Sequence, residues 1–457
     1  MAKAPAFKPD LTQPQLFLDD YWVHDTSRIQ RTWHQPKKYI EPVIKAEHPW
    51  EANCPVMYGS LLHYEGKFRA WYCGWTKNMA PRACYAESVD GINWIKPKLG
   101  ICEVNGSKDN NVILQSADPK QLIDDLTVIE DPEDKNWPLK MIYWNSQPHG
   151  YHAARSADGI HWEHIGCVLP DWGDRFNAVP CKIDGKYILF GRAPGGLDYR
   201  YKNRVSWRTE SSDLKRWSKP KLVMTTHHED PPLMETYSIT AFPYNDLLMG
   251  SIERMHMSPD KLDTEIIWSR DAGNSWIRSR TRPSFIPWGD AGHFDDTWVN
   301  LPASAPIRVN DELWFYYSGR TGAHGAPFPH NYGGIGLATL RVDGYCSLRA
   351  IEKDGYVKIN PMTWPGGELV INIDLRRNNL SHPRNTISGR VRAEVQDATG
   401  KPIKGYAFED CIVHAGNGDH ILKWKKNKLD KLKGRKVRLV FQYNDGHLYS
   451  FRAAKQS

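Results

Sequence analysis

The chain contains no run of apolar residues approaching the roughly 18 to 20 that carry a helix across a bilayer, so a membrane-spanning helix is excluded. It has no C-x-x-C pair. Its eight cysteines (Cys54, Cys73, Cys84, Cys102, Cys167, Cys181, Cys346 and Cys411) are scattered, which excludes a zinc ribbon and a dense disulfide framework. They read as buried thiols, with Cys73 and Cys84 placed to bridge neighbouring strands of one hairpin. The opening residues MAKAPAFKPD lack the apolar core of a secretory signal, which fits either a cytoplasmic start or one from which a signal has been removed. A periplasmic or secreted location is expected in the second case. The basic run Lys423–Lys436 has neither a recognition-helix pattern nor an RNP-type motif, so nucleic acid is not expected as a partner and a solvated face is.

What the chain does have is aromatic side chains and turn formers. Its 457 residues include 19 Trp, 21 Tyr, 35 Gly and 31 Pro, a balance that favours many short strands over long helices. The length exceeds what one core usually serves, so two units are expected. A net charge of +7 favours acidic partners, an anionic polysaccharide among them.

A repeat organises most of the sequence. The segments SVDGINW (88–94), SADGIHW (156–162), SSDLKRW (211–217) and SRDAGNSW (269–276) recur at intervals of roughly 55 to 70 residues, with a degenerate fifth copy, LRVDGYCSL (340–348). In each, Asp and Gly supply the side-chain hydrogen bonds and positive φ of a tight turn, and the Trp covers its base. The fourth copy resembles the Asp-box turn of sialidase-like propeller blades, a structural device, so no catalysis is expected of these residues. Three strand-like runs precede each box and one follows, and four antiparallel strands at this period describe a propeller blade. The expected fold is all-β: a five-bladed β-propeller over residues 51–352, preceded by residues 1–50, in which LFLDDYWVHD (16–25) closes the ring. After Pro365-Gly366-Gly367 the alternating segments GELVINIDL, SGRVRAEVQDATGKPIKGYAF and RKVRLVFQYNDGHLYSFRA predict a C-terminal β-sandwich over 353–457, with a hairpin turn at Asp445-Gly446. Its candidate exposed aromatics are Tyr406, Trp424 and Tyr443, and a structural brace is its expected role.

A five-bladed propeller joined to a C-terminal sandwich resembles the arrangement of family 32 glycoside hydrolases, and the propeller alone resembles families 43 and 117. The segments LFLDDYWV, SVDGINWIKPKLG and ELVINIDL are also similar to a group of bacterial proteins labelled as glycosidases. The resemblance implies a glycosidase. It does not carry the families' catalytic set across, because the W-M-N-D-P-N-G segment and the Glu-Cys acid motif are missing; Glu130-Asp131-Pro132 resembles the Arg-Asp-Pro motif but reads first as a hairpin turn.

Propellers bind ligands where the inner strands begin, because loops from every blade converge there. Blade one offers His48, Trp50, Glu51 and Asn53; blade two Asp124 and Asp125; blade three Asp174, Arg175 and Asn177; blade four Asp230, Glu235 and Tyr237; blade five His293, Asp295, Asp296 and Trp298. Glycoside hydrolysis needs one protonated and one ionised carboxyl group, and crowding carboxylates raises a pKa. The candidate roles are Glu235 as general acid, Asp125 or Asp174 as base or nucleophile, and Asp296 as pKa modulator or substrate ligand. Substrate-binding candidates are Glu51, Asp124, Arg175, Asn177, Arg192, Tyr237, His293, Asp295, Trp298, Arg320 and His324. The arginines and rings suit an anionic glycan, and a propeller funnel closed by blade loops suits cleavage at chain ends. No cofactor is required, although clustered carboxylates could hold a calcium ion. His227-His228-Glu229-Asp230 reads as a solvated loop. Two other readings use the same scaffold: a polysaccharide lyase with Tyr237 or His293 as base, and a carbohydrate-binding protein without chemistry.

Overall fold

In a computed structural model the described residues are 7–51, 54–75, 82–115, 122–192, 204–324, 332–351, 354–379, 382–387, 389–425 and 427–454. They form two compact units. One comprises Pro36–Val309 with Leu313–Thr339; the other comprises the described residues before Pro36, Asn310–Glu312, and the chain from Leu340 onward.

The first unit consists of five antiparallel four-stranded blades. Blade one is Cys54–Tyr64, Lys67–Trp75, Arg82–Ser88 and Val112–Leu114, and blade two is Ile123–Glu130, Leu139–Ser146, His149–Ser156 and Glu163–Pro170. Blade three is Gly173–Ala178, Tyr187–Arg192, Ser206–Ser211 and Lys221–Met224, and blade four is Met234–Tyr244, Leu247–His256, Lys261–Ser269 and Ile277–Arg278. Blade five is Trp298–Asn300, Glu312–Arg320, Gly333–Arg341 and Lys37–Lys38.

Polar links between successive blades run round a closed ring. The Val128 amide donates to Ser60 Oγ (2.9 Å), the Ala178 amide to Thr127 Oγ1 (3.2 Å) and Asn177 Nδ2 to Ser238 Oγ (2.8 Å). The Leu262 amide then donates to the Thr297 carbonyl (3.0 Å), and the Ala303 amide returns to the Gly59 carbonyl of blade one (2.9 Å). Ser60 and Thr127 thereby satisfy backbone amides that a narrow axis would otherwise bury unpaired. This is a five-bladed β-propeller.

Each Asp-box behaves as its sequence predicts. Asp90 Oδ1 accepts the amides of Ile92 (2.9 Å) and Asn93 (2.8 Å), and Trp94 Nε1 donates to the Gly91 carbonyl (3.1 Å). The second box repeats this pattern with Asp158, Ile160, His161 and Trp162. In the third, Leu214 occupies the positive-φ position (62°) that glycine holds in the first two.

Ring closure differs from expectation. Leu16–Asp25 does not pair with the propeller; Gln15–Leu16 pairs with Ser450–Phe451 and Val23–Ser27 with Tyr356–Ile359, both in the second unit. Blade five is completed by Lys37–Lys38, paired with Ala338–Thr339, and by an Ile44–Ile335 bridge. The degenerate fifth box explains the exchange: it has no covering Trp, and its Cys346–Ala350 strand pairs with Ile29–Trp33 and with Leu448 of the second unit.

That unit is a sandwich. One sheet runs Ile29–Trp33, Cys346–Ala350, His447–Ala453, Leu369–Asp374, Asn417–Leu422; the other runs Val23–Ser27, Gly355–Ile359, Lys436–Tyr443, Gly389–Asp397, Ile412–Ala415. Their inner faces enclose Phe17, Trp22, Trp364, Leu369, Ile371, Ile373, Val391 and Phe441. Tyr406, Trp424 and Tyr443, expected to be exposed, are 4%, 3% and 1% exposed and belong to this core.

Candidate active site

The inner strands do not run as regular ladders at the end where they begin. Pairing is interrupted between Val56 and Ser60 in blade one, Asp124 and Thr127 in blade two, Gly173 and Asn177 in blade three, and Thr236 and Ser238 in blade four. The residues in the gaps include Tyr58, Asp125, Asp174, Arg175 and Tyr237. A bulge bends its strand and re-aims a side chain that would otherwise lie on a blade face. Asp125 takes φ 51°, a left-handed conformation that Asp tolerates better than most residues.

These side chains meet round Arg175, which is 2% exposed. Its Nη1 lies 2.6 Å from Asp125 Oδ1 and its Nη2 2.8 Å from Glu253 Oε1, while the guanidinium covers the Tyr58 ring with 4.0 Å to the centroid. Asp125 Oδ2 accepts the Phe176 amide at 3.3 Å. Asp124 lies beside them, with Oδ1 accepting the Asp125 amide at 2.9 Å. One buried cation therefore serves two carboxylates with a third as neighbour.

Burial pushes the Asp124 carboxyl up to about 6; the nearby Asp174 charge adds to the rise, while the Asp125 amide, the Cys73 thiol and Arg175 oppose it. Burial also raises Asp125, against the pull of Arg175. Arg175 in turn is held on its proton by Glu253 and Asp125, although burial works against its charge. Burial raises both carboxyls, and the 2.6 Å contact makes Asp125 rather than Asp124 the direct partner of Arg175.

A cationic and aromatic rim surrounds the carboxyls. Asp174 is exposed over about half its side chain (56%), with Arg192 Nη1 3.7 Å from its Oδ1. Arg192 and Arg204 lie over the Tyr237 ring at 5.1 and 5.3 Å, and Arg204 is ion-paired to Glu235. The Tyr237 hydroxyl is 3.3 Å from His324 Nε2, whose ring stacks on Trp298 (5.3 Å, 13°), and Arg320 covers Trp298 at 4.1 Å. Burial lowers His324, and Arg204, Arg320 and Arg192 lower it further.

Asp124, Asp125, Asp174, Arg175, Arg192, Glu235, Tyr237, Trp298, Arg320 and His324 are thus brought together. Two of their expected roles change. Glu235 is ion-paired with Arg204 rather than lying in an apolar setting. Trp298, 1% exposed and covered by Arg320 and His324, supports cations instead of presenting a face to a sugar.

The contacts of the other candidates lead elsewhere. Glu51 accepts from the Tyr72 hydroxyl (2.5 Å), pairs with Lys96 (2.9 Å) and receives the Glu47 amide (2.9 Å), which makes it an internal latch. Asn177 joins blades three and four. Asp230 is held by Arg278 (2.7 Å) and Arg282. Asp295 pairs with Lys38 (2.7 Å) and accepts from the Tyr317 hydroxyl (2.9 Å). Asp296 accepts the Gly292 amide (2.9 Å) and the Thr297 hydroxyl (2.8 Å), both within its own loop. His293 is exposed and lines a separate cavity of about 420 Å³ with Phe294 and Tyr332. Asn53 lies outside the described residues.

Asp131, in the Glu-Asp-Pro tripeptide, is bound by Lys182 (2.9 Å) and Tyr187, a blade-to-blade tie rather than a part of this cluster. Cys73 and Cys84 are both free, and their strand positions pair with Ala83 and Tyr72 on opposite faces of blade one, so no bridge joins them. Among the described residues the group whose metal-ligating atoms converge is His227, His228 and Glu229, all exposed.

Sequence reading missed Tyr58, Glu253 and Arg204. Glu253 had a usable signal: it is an acid inside the apolar strand LLMGSIERMH, where only a paired charge is tolerated. Tyr58 and Arg204 had none.

No protein-family model and no curated protein sequence matches the chain. Solved structures do. An N-acetylgalactosamine deacetylase from F. plautii, in complex with blood group B trisaccharide, is 12% identical, covers 70% of this chain and 97% of its own, and has a TM-score of 0.47. A β-1,2-mannobiose phosphorylase from Listeria innocua is 13% identical over 68% and 97%, with a TM-score of 0.48. The α-L-arabinofuranosidase of Podospora anserina, in complex with cellotriose, is 12% identical over 67% and 97%, with a TM-score of 0.46. A likeness at this level assigns no role to any residue.

Proposed function

We propose that this chain is a glycoside hydrolase whose general acid is Asp124 and whose base or nucleophile is Asp174. The observation that carries the reading is the contrast between the two carboxyls: Asp124 is buried and raised to about 6, while Asp174 faces solvent beside it. A buried carboxyl that keeps its proton to higher pH and a solvent-facing carboxyl beside it supply the acid and base that glycosidic cleavage needs.

In this reading Asp124 gives its proton to the glycosidic oxygen as the bond from that oxygen to the anomeric carbon breaks. Asp174 either attacks the anomeric carbon or takes a proton from the water that does. Asp125, locked to Arg175, holds the bulge that presents Asp124 and is a positioning residue. The Tyr237 hydroxyl and the rim arginines supply the polar contacts a polyhydroxylated ligand requires.

With His293 lining a separate cavity, the lyase alternative would need Tyr237 as base. Burial raises Tyr237, which makes its phenolate harder to form and weighs against that role. The test is release of reducing sugar from neutral, uronic-acid and sulfated oligosaccharides, with unsaturated products followed at 235 nm. Hydrolysis lost on Asp124→Asn and on Asp174→Asn, with both variants folded, supports the reading; absorbing product points to the lyase, and binding without product to a binding protein.

A further inference from the structure

We infer that the rim is an anion-binding subsite, formed by Arg192, Arg320 and His324, that selects saccharides bearing a carboxylate or sulfate group. The inference rests on the reading of Asp124 and Asp174 as the cleavage centre, because it places the anion beside them.

The charges at the rim do not balance. Arg204 has Glu235, and Arg175 has Asp125 and Glu253. Arg192 has a carboxylate only at 3.7 Å, and its Nε and Nη2 are buried without a hydrogen-bond partner among the described residues. Arg320 is 8% exposed, its Nε is likewise buried without a partner, and its guanidinium rests on the Trp298 ring with no carboxylate among the described residues. Buried guanidinium N–H groups left unmade are costly, and aromatic contact replaces only part of the lost hydration. Arg320 and His324 both pack against the Trp298 ring and Arg192 packs against the Tyr237 ring, so the donors are already ordered before a ligand arrives. A planar carboxylate or a sulfate supplies the acceptor oxygens this arrangement lacks, and an arginine fork takes either in two parallel hydrogen bonds. A neutral sugar offers hydroxyls, which gain less from a charged donor.

The test uses the full chain carrying Asp124→Asn, so that binding is read without turnover. Methyl glucuronide and methyl galactoside 6-sulfate are titrated calorimetrically against methyl glucoside and methyl galactoside at low and high salt. Tighter binding of either anionic glycoside by about tenfold or more over its neutral counterpart, weakening with salt, is expected; the two anionic arms decide between carboxylate and sulfate. Arg320→Gln and Arg192→Gln, with melting temperatures confirming folding, abolish the preference, lowering affinity for the anionic glycosides by about tenfold more than for their neutral counterparts. Equal affinity for charged and neutral glycosides, or a preference that survives both substitutions, overturns the inference. Because binding is read in a hydrolysis-dead background, a failed cleavage assay and a failed anion subsite remain distinguishable.

Discussion

Arg175 Nη1 and Asp125 Oδ1 lie 2.6 Å apart with both side chains almost wholly buried, on bulges of adjacent blades. The pair joins blade two to blade three at the axis, and Glu253 extends it to blade four. Removing the cation leaves two buried carboxylates without a counter-charge. Arg175→Met is therefore expected to lower unfolding free energy by about 3 to 5 kcal/mol, the range for breaking one side of a buried pair. In an Asp125→Asn, Glu253→Gln background the same change should cost far less, because no orphaned charge remains. Urea unfolding of the parent and the three variants measures both; equal losses in the two backgrounds would show that packing on Tyr58, not charge, is what Arg175 provides.

Asp124 makes stability and activity depend on pH in one predictable direction. Its folded-state pKa, about 6, lies above the ordinary carboxylate value near 4, so the folded chain binds its proton more tightly than the unfolded chain. Its favourable contribution is complete below pH about 4, and is lost as pH rises towards about 6. Above that the buried carboxylate costs on the order of 3 kcal/mol, the free energy that corresponds to lifting a carboxyl pKa from near 4 to about 6. Asp124→Asn should consequently melt higher than the parent at pH 7.5 and alike at pH 4. For the parent enzyme, kcat/KM should fall as pH rises through about 6, since the general acid must be protonated. A variant that melts lower at pH 7.5 would assign Asp124 a structural charge instead.

The Asp-boxes should carry stability and no chemistry. Gly91 sits at φ +75°, and a Cβ there would lie 2.5 Å from the Tyr316 hydroxyl and 2.9 Å from the Trp314 ring. Gly91→Ala is expected to lower stability by about 1 to 3 kcal/mol through backbone strain and displaced aromatics. Its kcat/KM below the melting range should be that of the parent, which a paired melting and initial-rate measurement checks.

The architecture was legible because its signal is local and repeated. Ser, Asp, Gly and Trp at fixed spacing specify a turn that closes on itself, as the bonds from Asp90 to Ile92 and Asn93 show. The end of the axis where the carboxyls gather was legible for a related reason: strand starts can be found from apolar runs, and Asp124, Asp174 and Tyr237 each stand at one. Roles were not legible. Whether an acid is spare or engaged depends on partners far away in sequence, such as Arg204 for Glu235, Lys38 for Asp295 and Glu253 for Arg175. Bulges escaped notice as well, since an inserted residue such as Tyr237 does not stand out within the run METYSITAF. Ring closure was misplaced because Lys37–Lys38 is too short and too polar to read as a strand, whereas Leu16–Asp25 reads well and serves the sandwich.

That closure gives a last prediction, and it separates a structural acid from a functional one. Lys38 Nζ reaches Asp295 Oδ2 at 2.7 Å and the Pro287 carbonyl at 3.0 Å, while Tyr317 donates to the same carboxylate at 2.9 Å. Asp295 is 3% exposed at its side chain and Lys38 22%, so the pair is shielded from salt more than a surface bridge is. It fastens a two-residue strand that has few ladder bonds of its own. Asp295→Asn and Lys38→Met should each lower stability by about 1 to 3 kcal/mol, and a double-mutant cycle should return a favourable coupling of about 1 kcal/mol or more. Neither should change the pH dependence of kcat/KM, because Asp295 takes no part in the cluster round Arg175. If Asp295→Asn instead suppresses turnover while melting like the parent, Asp295 belongs to the chemistry and Lys38 holds it in place for that purpose.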